Sequence, residues 1–253
     1  MKTLNSPKVA SMKFSRNFIK TAVCEVKFPI LLELEQRPPI EIQKKLKKDF
    51  PLYDRLFDIS IEGKVQLEKL EKPEVKSQSP HYQLQSSDKS WIVTIKPDTL
   101  SLTTNKYVSF EDFLPRILKV VASAAPHIDT DFFTRIGLRY INAVPFKNDE
   151  FTGVINSALV APLEDRTFGT LTQFANVVAG HLDDGRYIFR HGINSTGLTS
   201  DPEYLLDFDY YKEMVKVEEL SSLLKSFHEH NFSFFYWCLG PKSKDLLGPS
   251  VAR

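Results

Sequence analysis

The sequence predicts an α+β fold in which a strand-helix-strands-helix unit occurs twice and builds a twisted antiparallel sheet with helices packed on one face. Three observations predict it. Short segments alternate apolar and polar residues with period two and are bounded by Gly, Pro, Asp and Ser clusters. Two long amphipathic stripes with helical spacing lie near the middle and the end of the chain. The order of elements then repeats, although residue identity between the two halves is slight.

The elements follow in order. Residues 1–17 are polar and unpatterned and read as a flexible lead-in. "FIKTAVCEVKF" sets Ile19, Thr21, Val23 and Glu25 opposite Lys20, Ala22, Cys24 and Val26, with Pro29 as a stop, which predicts a strand. "PPIEIQKKLKKDFP" has Pro39 at a helix start, Ile42 and Leu46 four apart, and Pro51 as terminator. From Ile59 to Thr104 the pattern is of strands: "ISIEGKVQLEKL", "HYQLQ" and "WIVTIKPDTLSLTT". The charged, proline-bearing "EKPEVKSQSP" among them reads as an exposed loop. "SFEDFLPRILKVVASAAP" predicts a helix capped by Ser109, with Phe113, Ile117, Val121 and Ala124 along one stripe. Pro115 falls in its first turns, where a missing donor costs least.

The second half begins with the strand "FFTRIGLRYINAVPF". A helix over "DEFTGVINSALVAP" follows, capped by Asp149 and closed by Pro162. Strands are expected at "GTLTQFANVVAGHL", "RYIFRHGIN" and "YLLDFDYY", the first two joined by a tight turn at "DDG". A final helix carries Leu220, Leu223, Leu224, Phe227, Phe234 and Phe235. These elements divide the chain into an N-terminal half, 18–128, a C-terminal half, 129–240, and a tail, 241–253.

Composition narrows the function classes. An apolar content of 42% is enough for a real core. The formal charge of +1 provides no global field to hold nucleic acid or an anionic membrane. No segment approaches the apolar length of a membrane span. Cys24 and Cys238 lie among apolar residues without a CxxC pattern, as reduced thiols of a cytoplasmic protein would. GxxxxGK[ST], GxGxxG and GxSxG are all absent, and ten glycines leave no phosphate-cradling loop, so no cofactor is expected.

The candidate site is a set of charged pairs. In "RIGLRYIN", alternation puts Arg135, Gly137 and Arg139 on one face of a strand and Ile136, Leu138 and Tyr140 on the other. In "LLDFDYY" it pairs Asp207 with Asp209 over an apolar reverse side. If the two strands are neighbours, the pairs can form an ion-pair ladder that fixes register. Alternatively the arginines bind a phosphate or carboxylate while the aspartates orient them. Asp207 and Asp209 as metal ligands would make the chain an enzyme acting on phosphate esters or nucleic acid, but no third ligand stands at a known spacing. His228 and His230 point about 200° apart on a helix and cannot chelate one ion from there. His228, beside the apolar stripe, reads as a helix residue hydrogen-bonded to the sheet, or as the acid or base of the enzyme alternative. His181 and His191 flank the "DDG" turn and could meet across the hairpin. Lys44, Lys45, Lys47 and Lys48 read as a solvated helix face.

"TRIGLRYIN", "YLLDFDYY" and "LLKSFHEHNFSFFYWCLG" together resemble a sporadically distributed family of prokaryotic proteins of about this length, to which no activity is assigned. The opening strand with Glu25 fits the way that family begins. The resemblance marks Arg135, Gly137, Arg139, Tyr140, Asn142, Asp207, Asp209 and His228. The chain departs from the pattern at "VSFEDFLPRIL", which lacks the expected tyrosine and tryptophan, and at "YWCLGPKSKDLLG", which lacks the acidic residue expected directly after the phenylalanine-rich turn. A patchy distribution implies gene exchange and is compatible with a defence or toxin-neutralising role. The resulting expectation is a non-enzymatic binding protein. Its open sheet face, with Arg135, Arg139, Asp207 and Asp209 at the centre and Tyr140 and Asn142 at the rim, holds a partner protein or a small anionic ligand. An exposed edge strand would also let two copies form a homodimer.

Overall fold

The computed structural model describes residues 14–62, 65–66, 69–70, 74–146, 151–164, 169, 173–194 and 203–248. The strands are β1 (Ile19–Lys27), β2 (Leu52–Glu62), β3 (Val65–Gln66), β4 (Lys69–Leu70), β5 (Glu74–Gln85), β6 (Trp91–Lys96), β7 (Thr99–Thr104), β8 (Phe132–Pro145), β9 (Gln173–Leu182), β10 (Gly185–Asn194) and β11 (Glu203–Lys216). The helices are α1 (Leu32–Gln36), α2 (Ile40–Leu46), α3 (Phe110–Ile128), α4 (Ser157–Glu164), α5 (Leu220–Cys238) and α6 (Pro241–Leu246). Apart from the short β3–β4 ribbon, the strands form one antiparallel sheet in the order β2-β5-β6-β7-β1-β8-β11-β10-β9. The fold is therefore α+β with a single large antiparallel sheet.

Alternation gives the sheet two chemically different faces. Register aligns Leu84, Val93, Leu102, Cys24, Leu138, Tyr210 and Tyr187 in one apolar row across seven strands. One residue along, the row reads Gln83, Thr94, Ser101, Glu25, Gly137, Tyr211 and Arg186 and points the other way. Helices α3 and α5 cover the apolar side. Phe113 of α3 stacks on Trp91, and Phe234 of α5 meets Phe189 at 4.8 Å and Phe208 at 5.3 Å between ring centroids. The helices also touch each other, with Phe110 lying flat on His228 at 4.2 Å. Ser109 caps α3 by accepting from the Asp112 amide, as expected. Ser226 and His230 of α5 both bond Asp184, which ties the β9–β10 turn to the helix.

Several local expectations change. Residues from Glu74 on form strand β5, not a loop, and β2, expected from Ile59, begins at Leu52, directly after Pro51. Pro80 is tolerated because it pairs only with Phe57 of β2. The β5–β6 ladder starts at Tyr82, so the side of Pro80 away from β2 needs no donor. The short helix α1 had no periodic signal in its five residues. Helix α4 starts at Ser157, where the Asn156 side chain accepts from the Ala158 amide, and it runs through Pro162. The expected cap Asp149 lies outside the described residues, as do residues 170–172 of the expected next strand. The tight turn at Asp183–Asp184 is present. Phe14 packs on Phe232 and Tyr236 of α5, and the Arg16 amide donates to the Leu247 carbonyl.

Candidate functional site

Strands β8 and β11 are neighbours, and Arg135, Arg139, Asp207 and Asp209 all project from the face that α3 and α5 leave uncovered. Their pairing is diagonal rather than rung by rung. Arg139 stands directly opposite Asp209, yet its Nε and Nη2 each donate to Asp207 at 2.7 Å. Such a two-toothed contact holds the guanidinium in one plane. Asp207 is only 8% exposed and takes a second cation, Arg190 of β10, at 3.6 Å.

Arg135 lies back along its own strand. Its Nη1 donates to Glu25 of β1 at 2.9 Å, its Nη2 reaches Asp209 of β11 at 3.3 Å, and its guanidinium sits 4.7 Å from the centre of the Tyr211 ring. Gly137 makes this possible. Glu25 and Tyr211 are its register partners on either side, and a Cβ at Gly137 would come within 2.9 Å of Arg135 Nη1. The glycine between the two arginines is therefore the floor on which the first one lies.

The electrostatics follow from this geometry. Burial pushes the Asp209 carboxyl above the ordinary aspartate range, against the opposing pull of Arg135 and Arg139. The hydrogen bonds that Arg139 donates to Asp207 raise the guanidinium above its usual value, so it stays charged. Six charges sum to zero, but unevenly. Arg135 has two carboxylates around it, Glu25 and Asp209, whereas Arg139 and Arg190 share one, Asp207.

Asn142 and His228 are not part of this surface, and neither is Tyr140. Asn142 follows the Tyr140 side of β8, is buried, and donates to the Leu206 carbonyl at 3.2 Å. His228 lies behind the sheet between Phe110 and Tyr140, whose hydroxyl is 3.3 Å from its Nδ1. Burial pushes the His228 imidazole down to about 4, so it is neutral at pH 7. His181 and His191 do not meet: they pair with Arg186 and Asn176, five rungs apart and on opposite faces. His191 is instead buried against the Tyr204 hydroxyl at 2.7 Å. Among the described residues, no three His, Cys, Asp or Glu side chains converge as metal ligands.

Two contributors were missed in the sequence, Arg190 and Tyr211, and Glu25 was noted only through the resemblance. The signal was there in the alternation of "RYIFRHGIN", which puts Arg186, Ile188 and Arg190 on one face. What sequence could not supply was the neighbour relation of β10 to β11 and of β1 to β8.

Fold and site define an α+β protein with one large antiparallel sheet whose uncovered face carries an arginine-carboxylate network. No family model matches the chain, and no curated protein matches it. No helix among the described residues is long and apolar enough to cross a membrane.

Proposed function

We propose that the uncovered face binds an anionic group, a carboxylate or phosphate presented by a partner protein or a small ligand, at the corner formed by Arg139 and Arg190. The observation that carries this reading is the shared carboxylate. Two guanidiniums, 42% and 43% exposed, converge on the single buried Asp207, which orients Arg139 through two hydrogen bonds and lies 3.6 Å from Arg190. The uneven sharing leaves Arg190 as a partly solvated cation with free donors, the kind of group that recognises oxyanions. Both aspartates accept from guanidiniums already, so neither is available as a base or as a metal ligand. This favours binding over catalysis.

Arg135 has a different role in this account. It links Glu25 on β1 to Asp209 on β11 across β8 and so clamps the centre of the sheet. That centre is also the boundary of a proposed internal duplication. The strand order supports it, because β1 and β8 lie side by side and β7, β6, β5 extend outward on one side as β11, β10, β9 do on the other. Each half ends in a 19-residue helix, α3 or α5.

Calorimetric titration at low salt with pyrophosphate and with a hexaglutamate peptide tests the binding reading. Saturable binding of either probe is expected, lost in Arg190→Ala. Absence of heat with both probes, or binding that survives Arg190→Ala, overturns it.

A further inference from the structure

We propose that β9 pairs antiparallel with β9 of a second copy of this chain, about a two-fold axis passing through Val177, and so joins two sheets into one. β9 ends the sheet, and among the described residues its ladder runs to β10 alone. An end strand normally carries a device against pairing: a charge, a proline or a bulge. β2, at the opposite end, has Asp54 and Arg55 and a register shift near Ser60. β9, "QFANVVAGHL", has no proline, no Lys, Arg, Asp or Glu, and an unbroken register over all ten residues. Val177 and Val178, on opposite faces of the strand, are 66% and 44% exposed.

The occupant follows from the order of side chains. On the uncovered face β9 presents Gln173, Ala175, Val177, Ala179 and His181, a sequence that reads polar, alanine, valine, alanine, polar from either end. A two-fold at Val177 sets Val177 against its own copy, Ala175 against Ala179, and Gln173 against His181, whose amide and imidazole can hydrogen-bond. On the other face Phe174 arrives opposite Gly180, across which the Tyr187 ring already lies. The nine residues of each strand that overlap, 173–181, make about ten inter-chain backbone bonds, the number an ordinary specific interface carries. Asn176 then stands opposite Val178, and the pairs of the uncovered face together with Phe174–Gly180 find fitting partners in the same strand reversed.

Sedimentation velocity of the full chain over a range of concentrations, with Val177→Lys and Val177→Cys variants, tests the proposal. A reversible dimer is expected, converted to monomer by Val177→Lys, which sets two ammonium groups face to face on the axis. The exposed site should leave the melting temperature of that variant near wild type. Val177→Cys should form a covalent dimer on mild oxidation faster than Ala175→Cys, since only the former meets itself. A chain that stays monomeric at all concentrations overturns the pairing. So does a dimer that Val177→Lys leaves intact, or equal cross-linking by the two cysteine variants.

Discussion

The bond between Arg139 and Asp207 can be weighed by a double-mutant cycle of Arg139→Ala, Asp207→Asn and the pair. Two 2.7 Å bonds join a nearly buried carboxylate to a guanidinium that keeps 42% exposure. Hydrogen bonds to charged groups contribute about 1.5–3 kcal/mol, and exposure of the arginine screens part of that. A loss of about 2 kcal/mol is expected for Arg139→Ala, because Asp207 keeps only the 3.6 Å contact to Arg190. For a chain of this size that corresponds to a melting temperature lower by about 4–8 °C. Asp207→Asn should cost about 1–2 kcal/mol, since the amide retains one acceptor. The double variant should be more stable than the sum of the single losses predicts, by about 1–2 kcal/mol. Urea denaturation with unchanged m-values provides the numbers. Additivity within about 0.5 kcal/mol would show that the two side chains do not act together and would refute the reasoning.

Other outcomes follow from the same geometry. Gly137→Ala should displace the Arg135 guanidinium and weaken its bond to Glu25, costing about 1–2 kcal/mol in urea denaturation, and Gly137→Ala combined with Arg135→Ala should recover part of that loss. Asp209 is buried with its carboxyl pushed up, so its charged form costs stability above that raised value. Asp209→Asn should therefore cost less at pH 7 than Asp207→Asn, in the same assay. His228 is held down at about 4, so the unfolded chain binds its proton more readily. Stability should fall as pH drops from about 6.5 toward 4, by about 1–3 kcal/mol, and His228→Phe should flatten that slope in pH-dependent denaturation.

The sequence carried face assignments better than neighbour relations. Alternation alone placed Arg135, Gly137 and Arg139 together and Asp207 with Asp209, because a half-covered strand must keep its apolar side to the core. The same rule already put Asn142 on the buried Tyr140 side, and the resemblance motif overrode it. Partners set by pairing distant segments were not legible. Glu25 lies 110 residues from Arg135, and nothing local marks β1 as adjacent to β8. Arg190 was passed over because Arg186 and Arg190 on one face of a strand have no partner until β10 is known to lie beside β11. Strand β5 reads as a loop in the sequence because "EKPEVKSQSP" is charged and proline-bearing, whereas β6 does not extend far enough to need a donor from Pro80.

In the proposed function Arg139 and Arg190 form one anion-binding corner while Arg135 serves as a clamp. Nitrogen-15 spectra of the arginine Nε–H groups during titration with pyrophosphate address this arrangement side chain by side chain. Saturable shifts of the Arg139 and Arg190 signals at one common affinity are expected, with Arg135 unmoved. Equal shifts of all three, or none, would contradict that arrangement.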